Sequence, residues 1–210
     1  MADSTKTTRG SGLSRRGFLK GISAGGVATG LVGGAAVQHG KVVEAAPAVV
    51  GPGDTAIKLK INGEVKSLTV EPRTTLLDAL RNRLDITGAK KVCDRGTCGA
   101  CTLWIDGQPA YACSVLAIDA EDSEITTIES LGTPERMTAL QQAFVNNDAQ
   151  QCGFCTPGMI MACEAFLKEN PSPTRDQVRD GISGNLCRCG TYHGIIDAVL
   201  EAAKTMKGGA

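Results

Sequence analysis

The sequence predicts an α+β fold: a small mixed sheet with one helix, followed by an all-α segment of four helices, behind an N-terminal stretch that does not read as fold. Three observations carry this. Period-two alternation with tight-turn dipeptides recurs between residues 55 and 128, apolar residues at helical spacing recur from residue 132 onward, and the pattern changes at Leu131-Gly132-Thr133-Pro134. Ile57-Lys58-Leu59-Lys60-Ile61 alternates as a strand, Asn62-Gly63 is a hairpin turn, and Val65 to Val70 is the returning strand that Pro72 closes. Thr74 or Thr75 caps a helix with Leu76, Leu77, Leu80 and Leu84 on one face. Residues 87–101, rich in Gly and Cys and without periodicity, form a loop. Thr102 to Ile105, an Asp106-Gly107 turn, a strand around Pro109 to Ala112 and another over Glu124 to Ile128 complete the sheet.

In the second half, Met137, Leu140, Phe144 and Val145 mark the first helix. Thr156 caps the second, with Pro157 at its first position and Met159, Ile160, Cys163 and Leu167 along its face. Pro171-Ser172-Pro173 breaks the chain before a short helix from Thr174 to Ile182, and Ile195 to Met206 is the last. The expected division is 1–48 as a leader, 49–54 as a linker, 55–131 as the sheet domain and 132–207 as the helical domain.

Residues 1–48 read as an address. A polar start leads into Ser14-Arg15-Arg16-Gly17-Phe18-Leu19-Lys20, and the 17 residues from Gly21 to Val37 carry no charge. The pattern resembles a twin-arginine export signal. The uncharged run is too short and glycine-rich to make a good membrane span, so no stable span is expected. Cleavage after Ala48, or after Ala45, fits the small-x-small rule. The resemblance implies export to the periplasm in the folded state, with any cofactor already loaded, so that an oxidising destination does not force the cysteines into disulfides.

Composition narrows the function. Twenty-two basic residues balance 22 acidic ones, which argues against a nucleic-acid binder. Aromatic residues are only 3% of the chain, so the core is small and aliphatic and something besides burial helps to hold it. His39 and His193 are the only histidines, and no nucleophile–base constellation is present.

The cysteines carry the chemistry. Eight of the nine fall into two sets: Cys93-x4-Cys98-x2-Cys101-x11-Cys113, and Cys152-x2-Cys155 with Cys187-Arg188-Cys189 after 31 residues. Four thiolates per half suit a tetrahedral zinc or an iron–sulfur cluster. The first spacing is the plant-type [2Fe–2S] pattern, in which Gly96 and Gly99 would let backbone N–H groups face the cluster. In the second set, alternate residues such as Cys187 and Cys189 span a zinc tetrahedron's edge poorly but reach neighbouring irons. Cys163, the ninth, sits on an apolar helix face and reads as core. The two C-x-x-C pairs also resemble thiol–disulfide motifs, but that reading leaves Cys187 and Cys189 without a role.

Gly88 to Thr102 (GAKKVCDRGTCGACT), Gln151 to Gly158 (QCGFCTPG) and Gly184 to Gly190 (GNLCRCG) together resemble the iron–sulfur subunit of the molybdenum hydroxylases, the xanthine dehydrogenase and aldehyde oxidoreductase family. The resemblance covers roughly residues 55 to 205. It implies a plant-ferredoxin-like β-grasp domain and a four-helix bundle domain, each holding one [2Fe–2S] cluster. Cys93, Cys98, Cys101 and Cys113 would ligate the first, and Cys152, Cys155, Cys187 and Cys189 the second. Gln151 matches a glutamine that hydrogen-bonds a partner's molybdopterin. The implied partners are a large molybdenum subunit and a flavin (FAD) subunit or a cytochrome, and the implied reaction is aldehyde oxidation to a carboxylic acid. An N-heterocycle oxidoreductase of isoquinoline type with a cytochrome acceptor, and a free-standing ferredoxin-type carrier, are the alternatives. Val92 departs from the family, which commonly has glycine before the first ligand cysteine.

Overall fold

The computed structural model describes residues 50–208, so the expected export signal lies outside the described residues. Strand β1 (Thr55–Ile61) pairs antiparallel with β2 (Glu64–Val70) along its whole length. The turn between them places Asn62 and Gly63 at φ 52° and 82°, the left-handed region that an Asn-Gly hairpin favours. Ile57, Leu59 and Ile61 point into the core while the intervening lysines face solvent, as the alternation requires. Helix α1 (Leu76–Arg83) starts at Thr75, whose hydroxyl accepts from the Asp78 N–H at 3.2 Å. Leu76, Leu77 and Leu80 form the buried face.

Strands β3 (Thr102–Ile105) and β4 (Gln108–Tyr111) make a second hairpin, and β5 (Glu124–Thr126) runs between the two. The sheet order is β2-β1-β5-β3-β4, with β1 and β5 parallel and the other pairs antiparallel. Asn62 fixes β5 from the side: its amide donates to Thr127 Oγ1 and its carbonyl oxygen accepts from the Thr127 N–H, both at 2.9 Å. The strand is shorter than the sequence suggests. Past Thr126 the chain turns into a 3₁₀ segment at Ile128, because Ile128 packs toward the helices instead. Likewise β4 ends at Tyr111, and Ala112 enters the tight turn that buries Cys113.

Four helices follow: α2 (Ala139–Asn146), α3 (Thr156–Glu169), α4 (Arg175–Gly181) and α5 (Tyr192–Gly208). Three boundaries correct the reading from sequence. Thr138 and Gln141 close a reciprocal capping box, so α2 begins after Met137. Met137 and Val145 are therefore exposed, and Leu140, Ala143 and Phe144 supply the buried face. At α3 the cap is Cys155; Thr156 is already helical and its buried hydroxyl has no hydrogen-bond partner. Helix α5 starts at Tyr192, three residues before the first apolar position. Gly194 is what allows that: a Cβ there would come within 2.5 Å of the Asn147 carbonyl, so the first turn lies tight against the end of α2.

The helices bury a core of Leu140, Phe144, Met159, Ile160, Val178, Ile195 and Val199 with small residues between them. Cys163 lies inside this core, fully buried. Sheet and helices belong to one compact unit, joined along a seam. Trp104 packs there on Met161 and Ala165 and donates from Nε1 to the Met161 carbonyl at 2.9 Å, while Lys168 Nζ lies 3.6 Å from the centre of its ring. Among the described residues no helix is long and apolar enough to cross a membrane.

Candidate metal centres

The first set of thiols is built by the loop after α1 and by the turn after β4. Asp94 and Gly96 adopt left-handed backbone angles (φ 56° and 67°) that curl the loop back on itself. This aims N–H groups at sulfur: Thr97 donates to Cys93 Sγ at 3.3 Å and Gly96 to Cys113 Sγ at 3.2 Å. A Cβ on Gly96 would also lie 2.7 Å from Ser114 Oγ. Within the set the thiols meet in pairs, Cys93 with Cys98 and Cys101 with Cys113. N–H donors from Arg95 and Thr97 hold the Cys93 thiol down to about 6, and burial pushes Cys101 up to about 12. A buried thiol of that kind gives up its proton when a metal binds it.

The second set joins the start of α3 to the loop between α4 and α5. Cys155 meets Cys187, and Cys152 meets Cys189. The alternate residues Cys187 and Cys189 thus face different partners. Burial pushes the Cys155 thiol up to about 12. Burial is the largest single influence on Cys187 and opposes its ionisation, but the hydrogen bonds at Thr191, Cys155 and Gly190 together bring the thiol down to about 7; the Thr191 hydroxyl oxygen sits 3.1 Å from the sulfur. Tyr192 fixes the same residue from the other side, its phenol oxygen accepting the Cys187 N–H at 2.8 Å. Cys152 is held down chiefly by the Phe154 N–H.

Two thiols for each of two irons is the donor set of a binuclear cluster, and both sets provide it. Among the described residues, none of the nine cysteines is in a disulfide, and no three His, Cys, Asp or Glu side chains gather as ligands of one ion. Each set brings four sulfur donors with no imidazole or carboxylate among them, a donor set that fits a [2Fe–2S] group. The sets differ in access. Cys101 and Cys113 are buried, whereas Cys152 and Cys189 are exposed, with the exposed apolar side chains of Phe154 and Leu186 beside them. Gln151 lies exposed on the same rim, next to Cys152. Val92, exposed at the edge of the first loop, touches neither core.

The two sets are in direct contact through the backbone. The Leu186 N–H, beside Cys187, donates to the carbonyl of Cys98 at 2.9 Å. Around this contact, Tyr111 donates to the Gly184 carbonyl at 3.0 Å, and Asn185 reaches across to Gly99, Thr102 and Gly158. What requires glycine at position 99 is this approach. Its φ is +69°, and a Cβ would lie 2.6 Å from Asn185 Cγ and 2.7 Å from the Gly184 carbonyl oxygen. Asn185, Thr191 and Tyr192 were not singled out in the sequence. Thr191 and Tyr192 reach Cys187 from four and five residues further on, whereas Asn185 acts across 86 residues, a contact that no local pattern encodes.

Two cysteine-rich modules in one chain, joined at their loops, define an iron–sulfur electron-transfer protein, and comparison with known proteins agrees. The 2Fe-2S iron-sulfur cluster binding domain matches residues 65–149, and the [2Fe-2S] binding domain matches residues 127–200. The chain is 41% identical to the aldehyde oxidoreductase iron-sulfur-binding subunit PaoA of Escherichia coli, over 93% of this chain and 90% of that one. It is 43% identical to the nicotinate dehydrogenase small FeS subunit of Eubacterium barkeri, covering 70% and 94%. Among solved structures it resembles a chain of quinoline 2-oxidoreductase from Pseudomonas putida 86, with a TM-score of 0.70, 46% identity and coverage of 74% and 98%. The chain belongs to the family of iron–sulfur subunits of molybdenum hydroxylases of the aldehyde oxidoreductase and xanthine dehydrogenase type.

Proposed function

We propose that this chain carries electrons away from the molybdopterin centre of a large partner subunit during oxidation of an aldehyde to a carboxylic acid. The observation that carries the proposal is the hydrogen bond from Leu186 to Cys98, which couples the two thiol sets through one backbone contact. Cys93, Cys98, Cys101 and Cys113 would hold one [2Fe–2S] cluster, and Cys152, Cys155, Cys187 and Cys189 the other. When bound, the clusters supply one-electron redox capacity, which splits the two-electron oxidation into single steps. The chain's own residues orient and tune: the Gly96 and Thr97 N–H groups donate to the sulfurs of Cys113 and Cys93, stabilising negative charge there.

The exposed rim of Gln151, Cys152, Phe154, Leu186 and Cys189 is where the molybdenum subunit docks in this reading, with Gln151 toward the molybdopterin. Residues 55–131 then form the β-grasp domain and 132–207 a four-helix bundle domain. A flavin (FAD) subunit or a cytochrome takes the electrons from the first set. The leader of residues 1–48 directs export to the periplasm by the twin-arginine route; the match to PaoA over 93% of the chain, extending beyond residues 50–208, supports a shared N-terminal segment. A second reading, oxidation of an N-heterocycle, is favoured by the 46% identity to the quinoline enzyme's chain. The test is affinity purification of the tagged chain from its native host. A large subunit with stoichiometric molybdenum is expected to co-purify, and a stable, unaccompanied monomer overturns the proposal.

A further inference from the structure

Asn185 is almost fully buried, at 5% exposure. Its Nδ2 lies 2.9 Å from the Gly99 carbonyl, 3.1 Å from Thr102 Oγ1 and 3.0 Å from the Gly158 carbonyl. These acceptors come from three places: the loop of the first thiol set, strand β3, and the first turn of α3 just beyond Cys155. Thr102 completes the net by spending its own hydroxyl proton on Gly99 at 2.6 Å, so that its lone pairs are left for Asn185. The Asn185 N–H bonds the Ile182 carbonyl at 2.9 Å, and the next residue makes the Leu186–Cys98 contact. One side chain, two residues before Cys187, therefore ties both thiol sets to a common frame. A buried net whose side-chain donors are shared among acceptors on three elements favours one geometry.

We infer that Asn185 is a positioning residue that sets the coupling between the two clusters, by holding the Cys98–Gly99 and Gly184–Leu186 backbones in register. This rests on the assignment of the two thiol sets to two [2Fe–2S] clusters. Serine at 185 keeps one donor on a shorter arm, and alanine keeps none. The seam has a control in Trp104→Phe, which removes the bond to Met161 and none of the hydrogen bonds of Asn185.

The experiment uses the assembled complex reduced with dithionite, so that both clusters are paramagnetic and split each other's EPR lines. Asn185→Ala and Asn185→Ser are expected to keep both signals at wild-type spin counts while the splitting between them narrows or disappears, more for alanine than for serine. Trp104→Phe is expected to lower the melting temperature and leave the splitting intact. Hydrogen exchange of the Leu186 amide gives a second readout that does not depend on cluster loading, and both Asn185 variants are expected to lose its protection. Unchanged splitting in the loaded variants, or unchanged Leu186 protection in either, overturns the inference and leaves Asn185 a stability residue. Failure of the wild-type complex to show two signals counts against the cluster assignment instead.

Discussion

Replacing Cys189 by serine is expected to halve the iron content, from about four to about two atoms per chain, and to abolish turnover with the physiological acceptor. Cys189 and Cys152 both lie exposed, and the loss of Cys189 would leave the second set with three thiols for a group that needs four. No other cysteine can step in. Cys163, the ninth, is wholly enclosed in the helical core and held as a thiol by burial. The first set should survive, because its four cysteines lie within residues 93–113 and Cys101 and Cys113 pack in the core of the sheet and α1, apart from α2 to α5. Iron analysis with EPR of the reduced variant checks this. The signal of the first cluster is expected at full intensity, and loss of both signals together would show that the two sets do not assemble independently.

Gly158→Ala is expected to destabilise the chain by about 3 kcal/mol or more, the scale of a steric insertion that close packing cannot absorb. A methyl group at this position would strike the Gly99 carbonyl oxygen and lie 2.9 Å from both the carbonyl carbon and the oxygen of Ala100. These are backbone atoms of the first thiol loop, so no side chain can swing away. The Gly158 carbonyl is also one of the three acceptors of Asn185. The damage therefore falls on the seam between the two thiol sets. Thermal denaturation of the loaded protein measures it, and a melting temperature within a degree of wild type would mean that the two loops do not meet as described.

Much of this arrangement is legible in the sequence where the signal is local. The Asn62-Gly63 and Asp106-Gly107 hairpins, the Thr75 cap and the alternation of Ile57, Leu59 and Ile61 are short-range patterns, and the structure contains each of them. The start of α2 is decided by the local Thr138–Gln141 capping box, and two other boundaries by distant contacts. Ile128 is drawn off the sheet by the helices, and α5 begins early because Gly194 admits the end of α2. Cysteine spacing separates the eight thiols into two sets, but spacing is silent about which thiol faces which. The pairing of Cys152 with Cys189 and of Cys155 with Cys187 is a product of the fold. The seam was the least legible part: Asn185 and Gly99 are 86 residues apart, and nothing near either one announces the other.

Similar subunits of an aldehyde oxidoreductase, a nicotinate dehydrogenase and a quinoline oxidoreductase share between 41% and 46% of their residues with this chain. This chain holds its two thiol sets in contact through the Leu186–Cys98 hydrogen bond.

The most direct test of that account is iron and sulfide analysis of the purified chain, combined with EPR after dithionite reduction. The account predicts about four irons and four sulfides per chain, with two distinguishable signals from the two reduced clusters. Zinc in place of iron with no signal, or a single signal from half that iron, would contradict it.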